Sequence, residues 1–197
     1  MKTPFQRAVS ALAFVAASLL STSGFAAHEV AGVRFEDQCN VANQALVLNG
    51  VGVRVKMIIK VYAVGLYVPH KDTAPNVILS QPGAKSVRIV MLRDVSADKL
   101  AEALVRGIAD NLSAPERVTL QPRLDQLEAA MRSGGDAAKG AQIQLDYVPG
   151  LGTHVTMGGK PLGKDIVGED FYQALLMVWL GEHQSDRSLK SELLGLD

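Results

Sequence analysis

Arg54, Lys56, Lys60 and Tyr62 interrupt a stretch otherwise built from Val, Met, Ile, Ala, Gly and Leu. A guanidinium is a planar fork that meets a carboxylate or a phenolate-like oxygen through paired hydrogen bonds, and a phenol adds one more donor. A buried arginine must be paired, so Arg54 facing an apolar cleft implies an anionic ligand or an internal acid. The expectation carried forward is the ligand, with no carboxylate of the protein's own answering Arg54; a structural ion pair is the alternative. Gly50 and Gly52 have no side chains and are read as leaving room for that ligand beside the strand. Lys56 and Lys60 read as a solvated strand face, where lysines also protect an edge from pairing.

Other chemistries find little support. His28, His70, His154 and His183 are far apart, without the short spacing of a metal motif. His70, after Pro69, and His154, after Gly152-Thr153, are the two to watch as axial or metal ligands. A single cysteine, Cys39, excludes an intramolecular disulfide and a cysteine-based zinc site. No Gly-x-Ser-x-Gly elbow, Walker loop or dinucleotide fingerprint occurs, and no nucleophile, base and orienting acid assemble. No metal and no cofactor are expected.

The elements that must position Arg54 and Tyr62 read as strands first and helices later. Val30 to Phe35 is a short strand. Leu46 to Val68, rich in Val and Ile, is too long for one strand, so a turn is expected between Val55 and Lys60. That turn matters, because on one continuous strand Arg54 and Tyr62 would stand roughly 26 Å apart. Thr73 to Ser80 reads as a helical turn capped by Thr73, and Val87 to Met91 as a strand. Leu100, Leu104 and Ile108 then recur at helical spacing behind Ser96 as cap. Ser113-Ala114-Pro115-Glu116 is a capping box that opens a further helix, which Pro122 is expected to kink or restart. Ala141 to Tyr147 alternates as a half-buried strand, Thr153 to Met157 follows, and Phe171 to Leu180 reads as a buried helix. Tyr67, Tyr147 and Trp179 are assigned to the core. The order predicts an α+β fold: an antiparallel sheet of about six strands with helices on one face.

Composition agrees with one globular domain: 48% apolar, 20% charged, 5% aromatic, and Lys+Arg equal to Asp+Glu at 20 each. Without a basic run, nucleic acid is not an expected partner. Lys2 and Arg7, a 13-residue apolar run from Ala8 to Leu20, and Gly24-Phe25-Ala26 have the form of a secretory signal peptide over residues 1–26. The expectation is an exported, periplasmic or secreted domain over residues 27–197, with no further membrane span.

Leu48-Asn49-Gly50-Val51-Gly52-Val53-Arg54, followed by Val61-Tyr62-Ala63-Val64-Gly65-Leu66-Tyr67-Val68, resembles the opening hairpin of the chalcone isomerase-like proteins. Met91 to Leu100 resembles the family's next block, and Asp170 to Gly195 looks like its exported bacterial branch. The resemblance implies an open-faced β-sandwich with an apolar cleft between sheet and helices. In the plant enzymes an Arg favours the phenolate that attacks an enone intramolecularly, and Arg54 matches it; Lys99 matches their Lys. Their Thr, Tyr and Asn fall at Tyr62, near Ser96 and near Ala103, so those groups are lost. The family's non-catalytic members bind fatty acids through an Arg and a Tyr of the next strand, which fits Arg54 with Tyr62. The leading expectation is therefore a non-catalytic binder of an amphipathic anionic molecule, fatty-acid-like, with Arg54, Tyr62, Lys99 and Ser96 as ligand contacts. The alternatives are a chalcone-to-flavanone intramolecular lyase using Arg54 and Lys99, and a haem- or porphyrin-binding or protein-interaction module.

Overall fold

The computed structural model describes residues 27–183 and 186–196. The expected export segment lies outside them. Val30 to Phe35 is not one strand: β1 (Ala27–Val30) and β2 (Val33–Glu36) form a hairpin, broken where Ala31 and Gly32 take positive φ. β3 (Gln38–Val41) follows directly. β4 (Gln44–Lys56) and β5 (Ile59–Val68) make the long hairpin, with Met57 and Ile58 as its loop inside the expected interval.

α1 (Pro75–Ser80) starts without the expected Thr73 cap; Asp72 instead accepts from the Ala74 N–H at 2.7 Å. β6 (Lys85–Met91), α2 (Ala97–Ala109) and α3 (Ala114–Ser133) follow. The Ser113–Glu116 capping box is formed. Pro122 neither stops nor restarts α3, which buries Leu120, Leu124 and Leu127 around it; tertiary packing offsets the one missing hydrogen bond. β7 (Gln142–Val148), β8 (Gly152–Met157), β9 (Lys160–Pro161), α4 (Glu169–Leu180) and α5 (Arg187–Leu193) complete the order.

β3 to β9 form one seven-stranded antiparallel sheet in sequential order. This is the expected α+β architecture, one strand larger. The main core lies between the sheet and the helices. Val64, Leu66, Val87, Ile89, Ile143 and Leu145 supply the sheet side; Ile108, Leu124, Leu127, Phe171, Leu175 and Leu176 supply the helix side. Period-two alternation sends the intervening residues to the opposite face. There a smaller core of Phe35, Leu46, Leu48, Ala63 and Tyr67 lies under β1 and β2, with Tyr67 donating to the Glu36 carbonyl at 3.0 Å.

β3 covers β4 only from Gln44 to Val47, which leaves the rest of that edge without a strand neighbour. α5 covers it instead. The Val53 N–H donates to Glu192 Oε2 at 3.0 Å and the Val55 N–H to Asp186 Oδ2 at 3.2 Å, so two side-chain carboxylates take the place of a further strand. Asn49, at the register shift in β4, donates to the Leu193 carbonyl at 2.8 Å and ties the other end of α5 to the strand.

Candidate ligand-binding site

Between the sheet and α2 lies a cleft of about 370 Å³. Its floor is Val61, Ile89, Ile143 and Leu145 from the sheet; Leu100, Leu104, Met131 and Val178 close it from the helices. α2 turns Lys99, Ala103, Arg106, Gly107 and Asp110 toward it, the spacing of one helical face. Gly107 allows α2 to approach α4, since a Cβ there would sit 3.1 Å from Val178 Cγ1.

Arg54 and Tyr62 both line the cleft and are direct cross-strand partners in the β4–β5 register, so the chain reverses between them as the 26 Å argument requires. The Tyr62 hydroxyl accepts from Trp179 Nε1–H at 3.1 Å and keeps its own proton to donate. Burial pushes the phenol above its ordinary pKa, against the opposing pull of the Trp179 hydrogen bond and of Arg54, so Tyr62 stays a neutral donor across the physiological range.

The expectation that no carboxylate answers Arg54 is corrected. Arg54 Nη1 meets Asp186 Oδ2 at 3.1 Å, with the two side chains only 19% and 16% exposed, and also donates to the Val55 carbonyl at 2.8 Å. Asp186 is held in turn by the Val55 N–H and, as cap of α5, by the Leu189 N–H at 3.2 Å. The charge demanded by a buried guanidinium is thus met from inside the protein.

Gly50 and Gly52 are corrected too. A Cβ on Gly50 would collide with the Glu192 and Leu193 carbonyl oxygens, and one on Gly52 with the Glu192 carboxylate and Leu189. The space they leave is filled by α5, not kept for a ligand.

Lys99 lines the cleft at its rim, exposed to water. Ser96 does not line it; it stands just before α2 and its hydroxyl makes no capping bond, while Asp136 accepts from the Ala97 N–H at 2.9 Å. Of the four expected contacts, Arg54, Tyr62 and Lys99 share the cleft and Ser96 is outside it. His154 Nδ1 lies 2.7 Å from Asp165 Oδ1, and the His70 backbone pairs with the Gln81 side chain. Among the described residues no group of three or more His, Cys, Asp and Glu is placed to hold a metal ion. Asp186, His183 and Trp179 are site residues that the sequence reading missed. Trp179 is in the core as expected, 4% exposed, and its ring nitrogen also reaches the cleft's polar end.

An antiparallel sheet backed by helices on one face, with a cleft between them that ends in a tyrosine, an arginine and an aspartate, is an open-faced sandwich. The family model described as chalcone isomerase-like matches residues 27–195, and the chain belongs to that family. Among solved structures it is similar to the fatty-acid-binding protein of Arabidopsis thaliana, with 17% sequence identity and a TM-score of 0.65, covering 83% of this chain and 92% of that one. That likeness is one of fold. Among curated proteins, none matches in sequence.

Proposed function

We propose that the protein is an exported, non-catalytic binding protein for an amphipathic, fatty-acid-like small molecule. The apolar chain lies along the floor of the cleft and the head group meets the Tyr62 hydroxyl beside Arg54. The observation that carries this reading is Tyr62 itself: a phenol oriented by Trp179 Nε1–H, with its proton left to donate, at the polar end of a cleft whose floor is apolar. The fatty-acid-binding protein of similar fold supports it.

The Arg54–Asp186 pair refines the head group. A carboxylate placed beside Asp186 in a desolvated cleft is repelled, so the ligand is taken as the uncharged acid or as another uncharged acceptor, not as a bare counter-ion of Arg54. The same pair weighs against the lyase reading, which needs an Arg54 charge available to a phenolate.

Mass spectrometry of small molecules retained by the purified protein tests the reading. A fatty-acid-like lipid is expected with the wild type and is lost with Tyr62→Phe. Chalcone turnover above an Arg54→Ala control would replace this reading with the lyase.

A further inference from the structure

Lys56-Met57-Ile58-Ile59-Lys60 forms the tip of the β4–β5 hairpin. Met57 and Ile58 are 92% and 93% exposed, and Ile59 is 47% exposed. Tight hairpin loops favour Asn and Gly because their central residues take positive φ. Here Met57 takes φ +59°, a conformation that costs a side chain of this size. The fold gains no packing in return. Other exposed apolar residues, such as Val118, Leu151 and Val167, stand singly in the sequence. At this tip three stand in a row, with a lysine on either side.

Among the described residues neither Lys56 nor Lys60 has an ion-pair partner, and both are exposed. A strained apolar point bracketed by cations matches the layering of an anionic bilayer surface. Large apolar side chains enter the acyl boundary, and ammonium groups on long stems stay among the phosphates. The tip also adjoins the cleft: Lys56, Val61 and Tyr62 line it, as does exposed Lys99 on the rim.

We propose that this hairpin tip docks the protein on an anionic phospholipid surface, with Met57, Ile58 and Ile59 inserted between head groups that Lys56 and Lys60 contact. Docking there brings the mouth of the cleft to the lipid.

Vesicle flotation tests the proposal. The protein is expected to float with phosphatidylcholine vesicles containing about a quarter phosphatidylglycerol, and much less with phosphatidylcholine alone. Ile58→Asp is expected to lower the bound fraction at least about tenfold, and Lys60→Glu to remove the preference for phosphatidylglycerol. Both side chains are exposed, so both variants keep the wild-type melting temperature. Absence of flotation, or flotation indifferent to Ile58→Asp, would overturn the proposal. So would light scattering that shows a dimer made monomeric by Ile58→Asp, since the tip's partner would then be a second copy. The docking rests on the tip and not on the cleft's ligand: Tyr62→Phe is expected to float as the wild type does, so the two readings fail separately.

Discussion

Arg54 and Asp186 form a mostly buried ion pair, Nη1 to Oδ2 at 3.1 Å, between residues 132 positions apart. One end of the pair is on the hairpin that floors the cleft and the other caps α5. The pair therefore sets the charge of the cleft's polar end and fixes a helix to a strand.

Asp186→Asn tests the electrical part. Asn keeps one acceptor oxygen for the Leu189 N–H as cap of α5 but gives up the acceptor of the Val55 N–H, while Glu192 and Asn49 still hold α5 to β4. Arg54 then lacks its full counter-charge, and affinity for fatty carboxylates is expected to rise, by tenfold or so, relative to the matching methyl esters. Calorimetric titration of both ligand types with both proteins reads this directly. An unchanged ratio would show that the pair does not select the head group.

Tyr62→Phe and Trp179→Phe separate orientation from contact. Removing the Tyr62 hydroxyl leaves the Trp179 N–H without its acceptor, with an expected cost of about 1–3 kcal/mol in stability and loss of the ligand's hydrogen bond. Trp179→Phe keeps the Tyr62 proton and is expected to weaken binding less. Denaturant unfolding together with a fluorescent fatty-acid displacement assay gives both numbers for each variant.

Gly50→Ala is expected to destabilise the protein by about 1–3 kcal/mol, because the added methyl meets the backbone of α5 and the two must separate. The signature is regional: protease cleavage near α5 accelerates before the sheet opens. Gly50 is not among the glycines with positive φ, so the cost comes from the collision and not from backbone strain.

Asp146 carries the pH prediction. On the sheet face away from the helices it is pushed above the ordinary carboxylate pKa by burial, against the pull of Ser86, Arg88 and His154. A carboxyl with a raised folded-state pKa binds a proton more tightly when folded. Stability therefore falls as pH rises through the ordinary carboxylate range up to Asp146's raised value, and is level above it. Asp146→Asn should remove that fall, being more stable than wild type above the window and equal to it below. Melting temperatures from acid to neutral pH check where the two proteins part.

Much of the fold was legible because it depends on local periodicity. The alternation of Ala141 to Tyr147, the stripe of Leu100, Leu104 and Ile108, and the Ser113–Glu116 box all produced the expected elements. Arg54 and Tyr62 were legible as a pair once the hairpin was assumed. Asp186 was not, because nothing in local spacing links a helix cap to a strand so far away in sequence. The glycines misled for the same reason: an empty position shows that something comes close, and α5 was what came. The loop at Met57 and Ile58 was legible only as an interval, because no Asn-Gly or Asp-Gly pair marks a turn there and the positive φ falls on Met57.

The carboxylates of Asp186 and Glu192, described above as covering the free margin of β4, also bear on solubility. A run of unpaired amides flanked by Val51, Val53 and Val55 is an invitation to any similar ribbon nearby. Peeling α5 away would uncover it. Damage at the carboxy-terminal helix would then announce itself first as turbidity, from molecules zipping together margin to margin, and only afterwards as a change in what the cleft can hold.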